Sequence, residues 1–528
     1  MKRVLLLLSL FIAACATSPQ RNQDLVNRAV DAMGGADALG GVKTLSVKAT
    51  SRQWEPEQSV NASGEMRFAN ESTIESIGDV ASRSARINWV KNFEYPSKRT
   101  FTFSEILTPE AGYVAGIDSN GRNKESRESN PPGHAMSSLR LAATQREFRR
   151  ASPLLLLEMR RSPDRLSANP DIIVGGVTYP AVNYKAAPDQ TFTVMFDPQS
   201  GLPARIRTLD WDNIYGDSAY DLVLSDWRAF GGIKVAASRQ YQLNGKTIIE
   251  VKIADVAFNG PVNAAGFAIP AAAKESAAKP GTANVPYQWV LRRQMIGTYL
   301  DSDNPSFDTK AVSGLSLVEL APGVQHTTGG AANSLIVEMR DHLIVFDAPA
   351  SDWQSNWTIK AAKEKYPGKP IKYLVLTHHH MDHAGGMRAY AAEGVSIVVG
   401  KGNGDHFRKH LAAPMSLDPD LQARDLSRTP VIEVADKQTF SDGKRDVAAY
   451  VIENPHANGM MIGYVSDAKI GFVTDLWSPG RDPLPPKINP GLAAVFNGVK
   501  KAGIAPVKFA GGHGSVGDFA PLAALASK

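Results

Sequence analysis

Two rhythms of apolar residues divide the chain. From about Leu45 to Ile269 apolar and polar positions alternate, as in Thr191-Phe192-Thr193-Val194-Met195-Phe196 and Tyr220-Asp221-Leu222-Val223-Leu224. A period of two places neighbouring side chains on opposite faces of a strand. Asp197-Pro198-Gln199-Ser200-Gly201 and Gly231-Gly232 supply turns between such runs, so this region predicts an antiparallel β-rich domain. Ahead of it Leu25, Val26, Ala29, Val30 and Met33 recur at helical spacing, and Gly34-Gly35 ends that helix. A helical insert is expected near Ser137 to Met159. Later the rhythm changes. Leu317–Leu320, Leu335–Met339, Leu343–Phe346 and Ile371–Leu376 are short, nearly unbroken apolar runs, the pattern of buried strands. Between the two regions, Pro270 to Val285 is rich in Ala, Lys, Pro and Gly and reads as a linker. Tyr287 to Tyr299 is a candidate bridging helix. The expected division is a β-rich domain over 24–270, a linker with its helix over 271–310, and a mixed α/β domain over 311–528.

Length supports that division, since 528 residues exceed one ordinary core. The formal net charge of +5 is small, and no long Lys/Arg run concentrates it, so no nucleic-acid partner is expected. The first residues add a destination. Met1-Lys2-Arg3 is basic, Val4 to Ile12 is apolar apart from Ser9, and Ala13-Ala14-Cys15 follows. This reads as a secretory signal peptide over residues 1–15. Ile12-Ala13-Ala14-Cys15 resembles the bacterial lipobox, in which the cysteine carries the lipid. Cys15 is the single cysteine of the chain. The resemblance implies a membrane-anchored lipoprotein in the periplasm, sorted to the outer membrane because Ala16 rather than aspartate follows. Cleavage after Ala16 as a plain secreted protein is the alternative. No later stretch has the roughly 18 unbroken apolar residues of a transmembrane helix.

The chemistry lies in the second half, where ten of the eleven histidines follow residue 320. Thr377-His378-His379-His380-Met381-Asp382-His383-Ala384-Gly385-Gly386 directly follows the apolar run ending at Leu376. Imidazole nitrogen and carboxylate oxygen are ligands that zinc accepts. A strand end and tight turn can aim His378, His380, Asp382 and His383 at one point, leaving His379 facing away. Three further candidates each follow an apolar run: His456, Asp475 and His513. Taken singly, each is an ordinary turn residue. His406 and His410, four apart on a predicted helix over 405–411, read as surface residues. Trp353, Trp357 and Trp477 are candidates for either a substrate mouth or core packing.

The H-x-H-x-D-H run followed by Gly-Gly resembles the signature of the metallo-β-lactamase superfamily. That resemblance implies an αββα sandwich for the C-terminal domain, giving an α/β fold class preceded by the antiparallel β-rich domain. It assigns His378, His380 and His456 to one metal ion, Asp382, His383 and His513 to a second, and Asp475 as the bridge. The implied cofactor is two zinc ions, with iron or manganese as alternatives, sharing a water or hydroxide. Asp382 would orient and deprotonate the nucleophile, and Asp347 would brace the ligand loop. Around His456, Pro455 and Ala457 stand where the family commonly has Gly and Ser or Thr, so a supporting hydroxyl is missing. A bridging aspartate is generally absent from the β-lactam hydrolases. The reading is therefore a metal-dependent hydrolase of a small molecule containing a lactone, ester or amide bond, with β-lactam hydrolysis as an alternative. Parts of the β-rich region, including Phe196–Pro203 and Phe258–Asn263, are similar to periplasmic lipoprotein-carrier-like domains. That likeness implies a second alternative, an acyl-chain carrier with an accessory metal domain.

Overall fold

A computed structural model describes residues 19–118, 132–276, 314–330, 332–419, 425–481 and 483–528. Cys15, the signal peptide and the candidate helix Tyr287–Tyr299 lie outside them. The alternating region forms a sheet of thirteen strands, each antiparallel to its neighbours. Near its middle β1 (Thr44–Glu55) pairs on one side with β2 (Arg67–Asp79) and on the other with the strand Lys246–Phe258. Beyond β2 follow β3 (Ser84–Phe93) and β4 (Arg99–Leu107). The first helix runs over Pro19–Ala32 and packs Val26, Ala29 and Val30 against Tyr184, Phe192 and Val194 of the sheet. The expected helical insert is two helices, Ser138–Arg150 and Leu155–Arg161. Ser137 caps the first by accepting a hydrogen bond from the Arg140 N–H at 3.2 Å.

The C-terminal domain has two sheets, of seven and six strands, with helices outside both. Strand periodicity produces these layers. Ile344 and Phe346 face Val447, Met461 and Phe472 in the core between the sheets. Val345, on the opposite face of the same strand, packs with Ile359, Tyr390 and Phe407 of the outer helices. On the other side Val473 and Phe509 pack with Val495 and Leu522. This is the αββα order. The strand Val324–Thr328, lying between the first two expected strands, had no clear apolar run to announce it.

The domains share an interface. Ala142, Ala143 and Ile214 of the β-rich domain are buried in one cluster with Met381, Met387 and Tyr390. The Asp217 N–H donates to Pro414 O at 2.7 Å, and the Ser416 N–H donates to the Asp217 carboxylate at 2.9 Å. Gly216, at φ 70°, permits this approach, because a Cβ there would lie 2.3 Å from Pro414 O.

Candidate metal centre

The parallel strand Ile371–Val375 delivers Thr377–His383 to one end of the sandwich. The loops after the strands Asp446–Val451, Ile470–Val473 and Lys508–Gly511 bring His456, Asp475 and His513 to the same place. Two groups of ligand atoms result: His378, His380 and His456, and Asp382, His383, Asp475 and His513, each within 4.8 Å of one another. Asp475 Oδ2 lies 3.1 Å from His378 Nε2 and 2.9 Å from His383 Nε2. Its Oδ1 is 3.1 Å from His513 Nε2. Asp475 thus links the second group to His378 of the first.

Three of the rings, His378, His380 and His383, are oriented from behind. His383 Nδ1 donates to Asp347 at 2.8 Å, which turns Nε2 inward. Asp347 is fully buried and also accepts from the Thr377 N–H at 2.7 Å and the Thr377 hydroxyl at 2.9 Å. His378 Nδ1 faces Thr377 Oγ1 at 3.2 Å, leaving Nε2 for the centre. His380 Nε2 donates to Ser59 O at 2.9 Å, leaving Nδ1 for the centre. Such outer contacts select the tautomer a ligand needs. At His456, Asn454 replaces the missing hydroxyl: its Oδ1 accepts from the N–H groups of His456 and Ala457 at 2.8 and 2.9 Å. Asp347 and Asp475 both have positive φ, 61° and 52°, a backbone conformation uncommon outside glycine and concentrated at functional sites. Gly512 lets the last loop close in, since a Cβ there would meet Thr474 Cγ2 at 2.3 Å.

The donor set fits metal ions. His380 Nδ1 and His456 Nε2 face each other at 2.9 Å, and His383 Nε2 and His513 Nε2 at 3.1 Å. His378 Nε2 and Asp475 Oδ2 are buried, and their polar neighbours are other members of the cluster. Converging, unsatisfied nitrogens and carboxylates call for shared cations. Burial drives His378 down to about 3 and holds His380 well below the ordinary histidine range. His378 and His380 are therefore neutral, the state a metal accepts, whereas at His383 and His513 the facing Asp475 and Asp382 carboxylates outweigh burial and raise both. Burial raises Asp382 and Asp475, but the opposing effect of His383 and His513 is larger and holds both below the usual carboxylate range.

The β-rich domain also enters the centre. After β1 the chain turns, and Gln58 Nε2 donates to Asp382 Oδ1 at 3.1 Å. The Tyr95 hydroxyl donates to Gln58 Oε1. Arg67 donates to Gln58 O at 2.6 Å and to His456 O at 3.1 Å. Ser59 O also accepts from His379 Nε2 at 2.9 Å, so His379 faces away from the ligands and into the neighbouring domain. None of Gln58, Ser59, Arg67 or Tyr95 carries a motif. His406 and His410 correct the surface expectation. They are 8% and 2% exposed, because the β-rich domain covers their helix: Ser63 Oγ lies 2.8 Å from His406 Nδ1, and Tyr215 packs edge-on to His410. Trp477 is core, packed against Phe509, and Trp353 is partly buried against the outer helices.

Residues 327–518 match the family described as the metallo-beta-lactamase superfamily. The C-terminal part of this chain is a metallo-beta-lactamase superfamily domain. A linear primary-alkylsulfatase from a Pseudomonas species is 32% identical over 108 residues, which are 19% of this chain and 15% of that protein. The chain thus spans about a seventh of the curated relative it matches, 15% of its length. Among solved structures, a metallo-beta-lactamase from Pontibacter korlensis has 20% identity and a TM-score of 0.32, covering 40% of this chain and 97% of that one. A metallo beta lactamase from Hirschia baltica has 18% identity and a TM-score of 0.31, covering 40% and 96%.

Proposed function

We propose that the protein is a dinuclear metal-dependent hydrolase of a small molecule, cleaving a lactone, ester or amide bond. The observation that carries this is Asp475, whose carboxylate lies between the His378 and His383–His513 sides of one buried cluster. His378, His380 and His456 would hold one ion, and Asp382, His383 and His513 the other, with zinc suited to both sets. Bound metal ions supply Lewis acidity and bring the pKa of a coordinated water to about 7. The chain's own residues do the rest. Asp382 has one oxygen held by Gln58, and its Oδ2 faces His513 at 3.4 Å. Oδ2 would face the ion, and the Asp382 carboxylate, fixed in place by Gln58, would orient the nucleophile and accept its proton. Burial and the nearby Asp475 and Asp382 carboxylates raise the Tyr95 hydroxyl, so it stays a donor and keeps Gln58 in place.

The test is metal content per chain after purification without a metal-binding tag, followed by a panel of lactones, esters, amides, thioesters and β-lactams. A primary alkyl sulfate belongs in the panel, because the matched relative is named for that class. About two zinc ions and turnover of one bond class are expected. No bound metal after reconstitution would overturn the reading. Export and anchoring through Cys15 are part of the proposal and rest on the N-terminal sequence. Cys15→Ser should move the protein from the membrane fraction to the soluble one, and unchanged attachment would refute the anchor.

A further inference from the structure

The β-rich domain forms a second feature, a half-open cavity of about 210 Å³ between the centre of the sheet and the helix Ser138–Arg150. It is larger than the ~150 Å³ apolar cavity that takes up benzene. Its lining changes character along β1. Leu45, Val47 and Ala49 line one end, and Ser51 and Gln53 the other. The neighbouring strands follow the same gradient, because paired residues share a face. Beside Ala49 stand Ile253 and Ile74, with Trp89 next to Ile74. One step further, a row crosses five strands: Arg239, Val251, Ser51, Ser72 and Lys91. The apolar end therefore meets a polar, cationic end.

The cations at that end have no close ion-pair partner, although Glu105 and Asp118 act on Lys91 from further off. Lys91 is 4% exposed, and Arg239 Nε is buried without a hydrogen-bond partner. Among the described residues neither makes an ion pair. Lys91 lies over the Trp89 ring at 4.3 Å. The carboxylates lining the cavity are already engaged. Glu105 accepts from Arg140 at 2.8 Å and from Trp89 Nε1 at 2.9 Å, and Glu147 accepts from Arg150 and Arg146. Ser51 Oγ and Gln53 Oε1 are also buried without partners. Burying the Lys91 ammonium and polar atoms such as Arg239 Nε without close partners costs free energy unless something else satisfies them. The cost here falls at one end of an otherwise apolar cavity.

We propose that this cavity binds a single-chain anionic amphiphile, with its tail along Leu45, Val47 and Ile74 and its head group at Lys91 and Arg239. The head end is also the end toward the metal centre. Gln58, on Asp382, follows Gln53 by five residues, a reach of at most about 18 Å. Burial lowers Lys91 to about 8 while Glu105 opposes it, so the ammonium persists at neutral pH.

The experiment is calorimetric titration of the chain, purified without detergent and stripped of metal, with decanoate below its micelle concentration. Stripping the metal removes the centre as a competing carboxylate site and makes the result independent of the hydrolase reading. One decanoate per chain is expected. Lys91→Met should weaken it at least about tenfold, the scale of one charge-assisted hydrogen bond, and Lys91→Arg should retain it. Decyltrimethylammonium should bind at least tenfold more weakly than decanoate. Circular dichroism melting of both variants checks that they fold. No saturable decanoate binding, equal binding of the cationic amphiphile, or unchanged binding in folded Lys91→Met would each overturn the proposal. If Lys91→Met does not fold, the Lys91→Arg titration and the head-group comparison decide.

Discussion

Buried charge is handled differently at two places in the molecule. In the β-rich domain Arg146 meets Asp210 through two parallel hydrogen bonds of 2.6 and 2.8 Å, with both side chains buried. Donors face acceptors, with Arg146 Nε also donating to Glu147 at 3.0 Å, and the chain's own groups match one another. At the metal centre like faces like. His380 Nδ1 meets His456 Nε2 at 2.9 Å, and His383 Nε2 meets His513 Nε2 at 3.1 Å. The first arrangement is complete as a protein and contributes to holding a fold. The second, nitrogen against nitrogen, is the arrangement a bound cation would complete. Burial alone therefore does not separate structure from function, but the matching of donors to acceptors does.

The largest effect is expected at the unmatched cluster. His380→Ala should remove hydrolysis and release metal while the metal-free fold melts as before. Losing an outer partner of a metal ligand already costs about 10–100-fold, so loss of the ligand itself should exceed that. Inductively coupled plasma analysis with turnover assays checks both, and full activity would sink the ligand assignment. The matched pair should behave in the opposite way. Arg146→Met should leave metal content unchanged and lower stability by about 3 kcal/mol, the scale of a buried pair that has lost one partner. Arg146→Met with Asp210→Leu should recover most of that loss. Urea unfolding measures it, and a double variant as unstable as the single one would break the comparison. The smallest effect is expected where the domains meet. Gln58→Ala should lower kcat about tenfold, one partner's worth of support for Asp382, with little change in stability. A wild-type kcat would mean that the β-rich domain covers the centre without positioning it.

What could be read from the sequence follows the same boundary. His378, His380, Asp382 and His383 fall within six residues after an apolar strand, so local geometry alone gathers them. His456, Asp475 and His513 each follow a strand that ends at the same side of the sandwich, but singly they read as turn residues, and the family resemblance is what picked them out. Gln58 is 324 residues from Asp382, and nothing about a glutamine in a turn announces such a contact. His406 and His410 show the converse: a helix with a polar face predicts exposure only when no second domain covers it. The β-rich region revealed its strands through alternation. Alternation does not say which face curves inward, so the cavity and its cationic row became visible only once the register of β1, β2 and β3 was known.

The spread of the centre along the chain also fixes when it can first exist. Gln58 is made early and His513 near the last of the described residues, with the other ligands between. Ribosomal synthesis runs from the first of these to the last, so a nascent chain holds only a partial ligand set for most of its synthesis. Long-range closures of this kind are slow to form. The complete centre therefore arises after the chain is made, wherever the finished protein folds, and the metal supply of that compartment is the one that loads it.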